Sequence, residues 1–140
     1  MTPPLDRDRS RRLARLLAMG RMGLGIVAMA APQLPLRPWV GDRRGDSGAL
    51  LLARALGARD LALGLGALLA LRHDGAVRGW VEAGGMADAG DAVVTVVAFR
   101  SLPARGRWAV LGAATSGAVA ARLAAPGVDL PDPIPDRPFP

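Results

Sequence analysis

The chain contains no cysteine, no lysine and no tyrosine, and a single histidine, His73. Without Cys there is no disulfide framework, thiolate metal site, iron–sulfur cluster or cysteine nucleophile. One His cannot build a His-rich metal centre. Acidic charge is almost entirely aspartate, with Glu82 the one glutamate. No Walker, kinase, hydrolase-elbow or zinc signature is present. Gly23-Leu24-Gly25 and Gly64-Leu65-Gly66 follow no strand and so are not phosphate loops. The expectation is a protein with no metal and no cofactor.

What fills the 140 residues is Ala, Leu, Gly and Val, with 51% hydrophobic but only 4% aromatic residues. An apolar fraction this high excludes a disordered chain over most of the length. All 18 basic residues are Arg, against 12 acidic ones, for a formal net charge of +6. These arginines are spread along the chain without aromatic partners, so a nucleic-acid surface is not expected.

Proline is missing between Trp39 and Leu102 and crowded at Pro32, Pro35 and Pro38 and from Pro126 onward. Because an interior Pro removes a helix hydrogen bond and clashes with the preceding turn, Pro-free apolar stretches read as helices with defined ends. Four are predicted, over about Leu13–Ala31, Leu50–Leu71, Gly79–Phe99 and Trp108–Ala125. At 1.5 Å per residue each is about 27–33 Å long, close to the thickness of a bilayer's hydrocarbon layer. The second includes LALGLGALLAL, 11 positions without a polar residue, whereas a soluble bundle needs a polar face on every helix. Arg and Asp gather in the connections, and Trp80 and Trp108 open the third and fourth stretches, where indoles sit at headgroup level.

The expected architecture is all-α: an antiparallel bundle of four transmembrane helices over residues 13–125, with short loops. A basic segment, 1–12, precedes it and a Pro-rich extended, solvated tail, 126–140, follows. A signal peptide is the main alternative for the first stretch, since Arg-rich residues precede an apolar run ending in Ala28-Met29-Ala30. Arg21 in the middle of that run argues against it. With the N-terminus cytoplasmic, nine arginines fall on the inner side and six on the outer, which favours both termini inside the cell membrane. The N-terminal cluster RDRSRRLAR is expected to meet anionic lipid headgroups. A homo-oligomer is compatible with this pattern, which sets no oligomeric state.

Spans of this length should avoid charge, yet Arg21, Arg59 with Asp60, and Asp88 with Asp91 all lie within ~5 Å of the midpoints of their stretches. An ionised side chain at the bilayer centre costs ~3 kcal/mol or more, so these groups must face inward and meet one another, water or a ligand. At 100° per residue, Asp88, Asp91 and Thr95 share one side of the third helix, near Gly84 and Ala92. Asp60 shares a face with Ala53, Gly57, Gly64 and Ala67, and Arg21 is flanked by Ala14, Ala18, Gly25 and Ala28, small-residue stripes that let helices approach closely. Glu82 falls on the far side of its helix. Asp60, Asp88 and Asp91 are the candidate acid/base groups, and Arg21, Arg54, Arg59 and Thr95 the candidate substrate-binding ones. Two guanidiniums against three carboxyls leave one negative charge over, which a low-dielectric site neutralises, most simply with a proton.

The segments ARALGARDLALGLGALLALR (Ala53 to Arg72) and RGWVEAGGMADAGDAVVTVVAF (Arg78 to Phe99) resemble a family of small four-helix integral membrane proteins of uncharacterised function, frequent in high-GC bacteria. The resemblance covers about Arg12 to Ala125, and its most specific marks are Arg54, Gly57, Arg59, Asp60, Gly64, Asp88 and Asp91. It implies four spans and a shared polar set, and no activity. The expected function is binding of the polar group of a lipophilic small molecule at the midplane cluster, with cyclisation, isomerisation or epoxide opening as fitting chemistry. The competing expectation is a structural or accessory membrane subunit whose buried Arg/Asp network only fixes helix packing.

Overall fold

The computed structural model describes residues 5–40 and 46–131. They form five α-helices and a 3-10 turn, with no strand among the described residues: α1 (Arg7–Ala30), α2 (Gln33–Val40), α3 (Ser47–Arg72), α4 (Arg78–Val97), the turn Phe99–Ser101, and α5 (Ala104–Ala124). Four of the helices are long and correspond to the four predicted stretches; α2 is an eight-residue addition.

Boundaries differ where caps and prolines act locally. Helix α1 begins six residues before Leu13, inside the segment 1–12, because Asp6 accepts from the backbone N–H of Arg9 at 2.8 Å and ties off a free first-turn donor. Asp46 does the same for α3, accepting from Gly48 at 3.1 Å. Helix α2 occupies a proline-rich stretch expected to be a loop. Pro35 lies in its first turn, where a backbone N–H has no intrahelical partner and its loss removes nothing.

The start of the Pro-rich tail is also not extended. Residues 126–131 turn back on the bundle, Val128 is fully buried, and Asp129 accepts from Val77 and Arg78 backbone N–H groups, both at 3.0 Å. The tail thus supplies the N-terminal cap that α4 has no side chain of its own to make. Residues 132–140 lie outside the described residues.

At the same end of the bundle, Arg11 of α1 donates to the carbonyl of Leu71 at 3.0 Å and to Asp74 at 2.9 Å, closing the end of α3. An apolar cluster built on Ala14, Leu71, Val77, Val81, Ala124 and Val128 fills that end.

Small residues set the helix spacing. A Cβ added at Gly25 would lie 2.6 Å from the Gly57 carbonyl oxygen, and one at Gly57 only 2.8 Å from Ala28 Cβ, so α1 and α3 touch backbone to backbone. The buried faces are Ala14, Ala18, Gly25 and Ala28 on α1 and Ala53, Gly57, Asp60, Gly64 and Ala67 on α3, the two stripes expected from 100° spacing.

Many of the large apolar side chains point outward. Leu16, Leu51, Leu52, Met86, Val93 and Val97 are all more than half exposed, Val97 to 83%, while the buried apolar positions are mostly alanine. By length and composition α1 is the one helix among the described residues that is apolar enough to cross a membrane, with mean hydropathy 1.5 over its most apolar 18 residues and 22% of that stretch buried. Every 18-residue stretch of α3 includes Arg59 and Asp60 together with Arg54 or Arg72, and every such stretch of α4 includes Glu82, Asp88 and Asp91, whereas the charge of α1 is concentrated at its N-terminal end.

Candidate functional site: an Arg/Asp network beside an apolar cavity

Five ionisable side chains from three helices form one connected network. Arg21 of α1 donates from Nη1 to Asp60 Oδ1 at 3.0 Å, and from Nη2 to Asp88 Oδ2 and to the Gly84 carbonyl, both at 2.5 Å. Arg59 of α3 makes a two-bonded fork with Asp91 of α4, Nη1 to Oδ1 at 3.1 Å and Nη2 to Oδ2 at 2.7 Å. It also donates to Asp60 Oδ1 from Nε at 3.3 Å and Nη2 at 3.1 Å. Asp60, 7% exposed, therefore joins both cations and is the centre of the network.

Local geometry explains these pairings. Adjacent helical residues point about 100° apart, so Arg59 reaches Asp60 only by folding its long side chain back along α3, which aims the planar guanidinium at α4 as well. Glycines make the room. A Cβ at Gly84 would lie 2.9 Å from Arg21 Nε, and a Cβ at Gly117 of α5 would collide with the Asp88 carboxylate. An alanine at either place would displace the charge it now admits.

The balance of charge is uneven. Two guanidiniums face three carboxylates, and both cations are committed to two carboxylates each. Among the described residues, Asp60 Oδ2 and Asp88 Oδ1 accept no hydrogen bond, since every contact to these two side chains falls on the other oxygen.

Next to the network lies a cavity of about 400 Å³ reached by Arg59, Asp60, Asp88 and Asp91. The rest of its wall is apolar, with Leu24 from α1, Leu36 from α2, Leu56 from α3 and Val110 from α5. That volume is near the lower end of ligand-binding pockets, ~300–1,000 Å³, and an apolar wall with a few converging polar groups is their usual composition.

The candidate residues divide as follows. Arg21, Arg59, Asp60, Asp88 and Asp91 come together. Arg54 does not: it is exposed and donates to the carbonyl of Met29, near the end of α1, at 3.3 Å. Thr95 is fully buried, and its hydroxyl donates to the Asp91 carbonyl at 2.6 Å on its own helix, which employs the group in local backbone bonding. Glu82 pairs with Arg78 at 2.7 Å on the exposed side of α4. His73 is an exposed residue at the end of α3.

Sequence reasoning did not anticipate Leu36, Val110 or Gly117. Leu36 sits between prolines that read as loop, although Leu34 and Leu36 in a Pro-rich segment were an apolar signal of docking. Val110 and Gly117 belong to a helix with no midplane charge to draw notice. Among the described residues no group of His, Asp and Glu is arranged to hold a metal ion. No protein family, characterised protein or solved structure matches the chain.

Proposed function

We propose that this chain is a multi-pass protein of the cell membrane, with both termini cytoplasmic, whose Arg/Asp network and adjoining cavity bind the polar group of a lipophilic small molecule. The resemblance of Ala53–Phe99 to small four-helix membrane proteins is carried as part of the same reading. The observation that carries it is the position of a charged network against an apolar cavity inside a bundle whose large apolar side chains point outward.

Lipid is the solvent that suits that surface, because the exposed Leu and Val side chains gain nothing from water. The central charges on α3 and α4, Arg59, Asp60, Asp88 and Asp91, are compatible with spanning because they are spent on one another and on Arg21 rather than presented outward. An apolar ligand body fits the cavity wall and a polar head fits the carboxylate oxygens left open. Asp88 and Asp91 both reach the cavity and would serve as the acid/base pair if the bound molecule is transformed there.

A second reading, a network that only fixes helix register, is favoured by the complete engagement of Arg21 and Arg59. Asp88→Asn separates the two. It keeps the shape and removes the charge. On the binding reading the variant inserts and melts like the parent but loses its ligand; on the packing reading it loses its fold in detergent. Release of the parent protein from membranes by carbonate wash without detergent would overturn the membrane assignment.

A further inference from the structure

Resting on the cavity reading above, we infer that the molecule bound there is a lipophilic cation, an amine or quaternary ammonium on an apolar body. The network has three carboxylates to two guanidiniums, and the surplus is not spread evenly. Asp91 is closed by the fork from Arg59, whereas Asp60 Oδ2 and Asp88 Oδ1 receive no donor from the described residues. Both of these side chains reach the cavity. The site is therefore short of donors and of positive charge, and an ammonium group supplies both.

An anionic head is disfavoured by the same count. It would bring a fourth negative charge to a site whose guanidinium groups are already committed, in surroundings where water screens little. A hydroxyl head supplies a donor but leaves the excess charge, so it ranks between the two. The competing way to neutralise the site is a proton on one carboxyl, and it predicts no preference for a cation. The apolar wall, Leu24, Leu36, Leu56 and Val110, suits a hydrocarbon body rather than a hydrated metal ion.

The test uses three eight-carbon probes that share a chain and differ in head group: octylammonium, octanol and octanoate. Each is titrated calorimetrically into the full chain in nanodiscs of zwitterionic lipid, with empty nanodiscs as the blank. Octylammonium is expected to bind saturably, one per chain, at least tenfold more tightly than octanol, with no saturable binding of octanoate. Asp88→Asn should bring octylammonium down to the level of octanol, and Val110→Phe, which fills the cavity without touching the charge, should abolish saturable binding of both. Octanol binding as tightly as octylammonium, or octanoate binding more tightly than either, overturns the cation inference and leaves the cavity reading standing. Failure of all three probes to saturate overturns the cavity reading itself. Octylammonium binding unchanged in Asp88→Asn overturns the assignment to this network. If either variant does not fold, the comparison of the three probes on the parent chain still decides.

Discussion

Arg59 and Asp91, 32 residues apart in sequence, meet in a two-bonded fork that joins α3 to α4, with N–O distances of 3.1 and 2.7 Å. The guanidinium plane matches the carboxylate edge, and the same cation holds Asp60 on its own helix. Lysine keeps the charge and loses the fork. Arg59→Lys is therefore expected to lower the stability of the bundle by ~1–2 kcal/mol, less than the ~3–5 kcal/mol of a fully buried broken pair, because the Arg59 side chain is 31% exposed. Unfolding of the purified protein in mixed micelles by graded addition of a denaturing detergent measures it. An unchanged midpoint would show that the fork contributes nothing.

Arg21 is the less replaceable cation. Its side chain is 13% exposed and bridges carboxylates on two helices, so Arg21→Met strands Asp88 in a site with little water and leaves Asp60 to Arg59 alone. The expected loss is ~3–5 kcal/mol, enough to prevent recovery of folded protein. Arg21→Met with Asp88→Asn should recover part of that loss, since the stranded charge is then gone. A double variant no better than the single one would place the defect in packing rather than charge.

Two glycines, Gly117 of α5 and Gly90 of α4, should respond in opposite ways. Gly117→Ala places a methyl group against the Asp88 carboxylate and is expected to destabilise, whereas Gly90 has nothing within 4 Å of an added Cβ. Gly90→Ala should stabilise α4 by ~0.5–1 kcal/mol through helix propensity alone. Equal effects of the two substitutions in the same unfolding assay would contradict the close approach of α5 to the network.

Asp129→Ala removes two hydrogen bonds from the first backbone N–H groups of α4 and the anchor of residues 126–131. Loss of a helix cap costs about 1 kcal/mol. Faster proteolysis at the C-terminal end, with the remaining bundle intact, is the expected observation. Asp129→Asn keeps an acceptor and should restore much of the protection.

The multi-pass reading predicts opposite sidedness for the two ends of α4. Single cysteines introduced at Asp74 and Ser101, in a chain that has none of its own, should be labelled by a membrane-impermeant thiol reagent from opposite sides of the membrane. Labelling of both from one side would exclude a transmembrane α4.

Much of the bundle was written in local sequence because its determinants repeat at helical spacing. Proline-free runs fixed four long helices, and the 100° rule put Asp60 on one face with Ala53, Gly57, Gly64 and Ala67. The short α2 escaped this reading because its prolines read as loop, although Pro35 sits in the first turn, where no N–H is needed, and Pro38 forgoes only one intrahelical bond. Arg54 and Thr95 show the limit from the other side. Each is polar and suitably placed along a helix, yet each found a backbone carbonyl nearby, and no spacing rule reveals that choice.

The sequence alone determined the four long helices, their small-residue faces and the position of the charges along them, since each depends on residues within a few turns of one another. Tertiary structure decided which cation meets which carboxylate, that α2 and α5 complete a cavity, and that Asp129 caps α4 from 51 residues away. Such pairings depend on the rotation and offset between helices. Those are set by the packing of Gly25 on Gly57 and of Asp88 into the space at Gly117, contacts between residues that nothing in the local sequence connects.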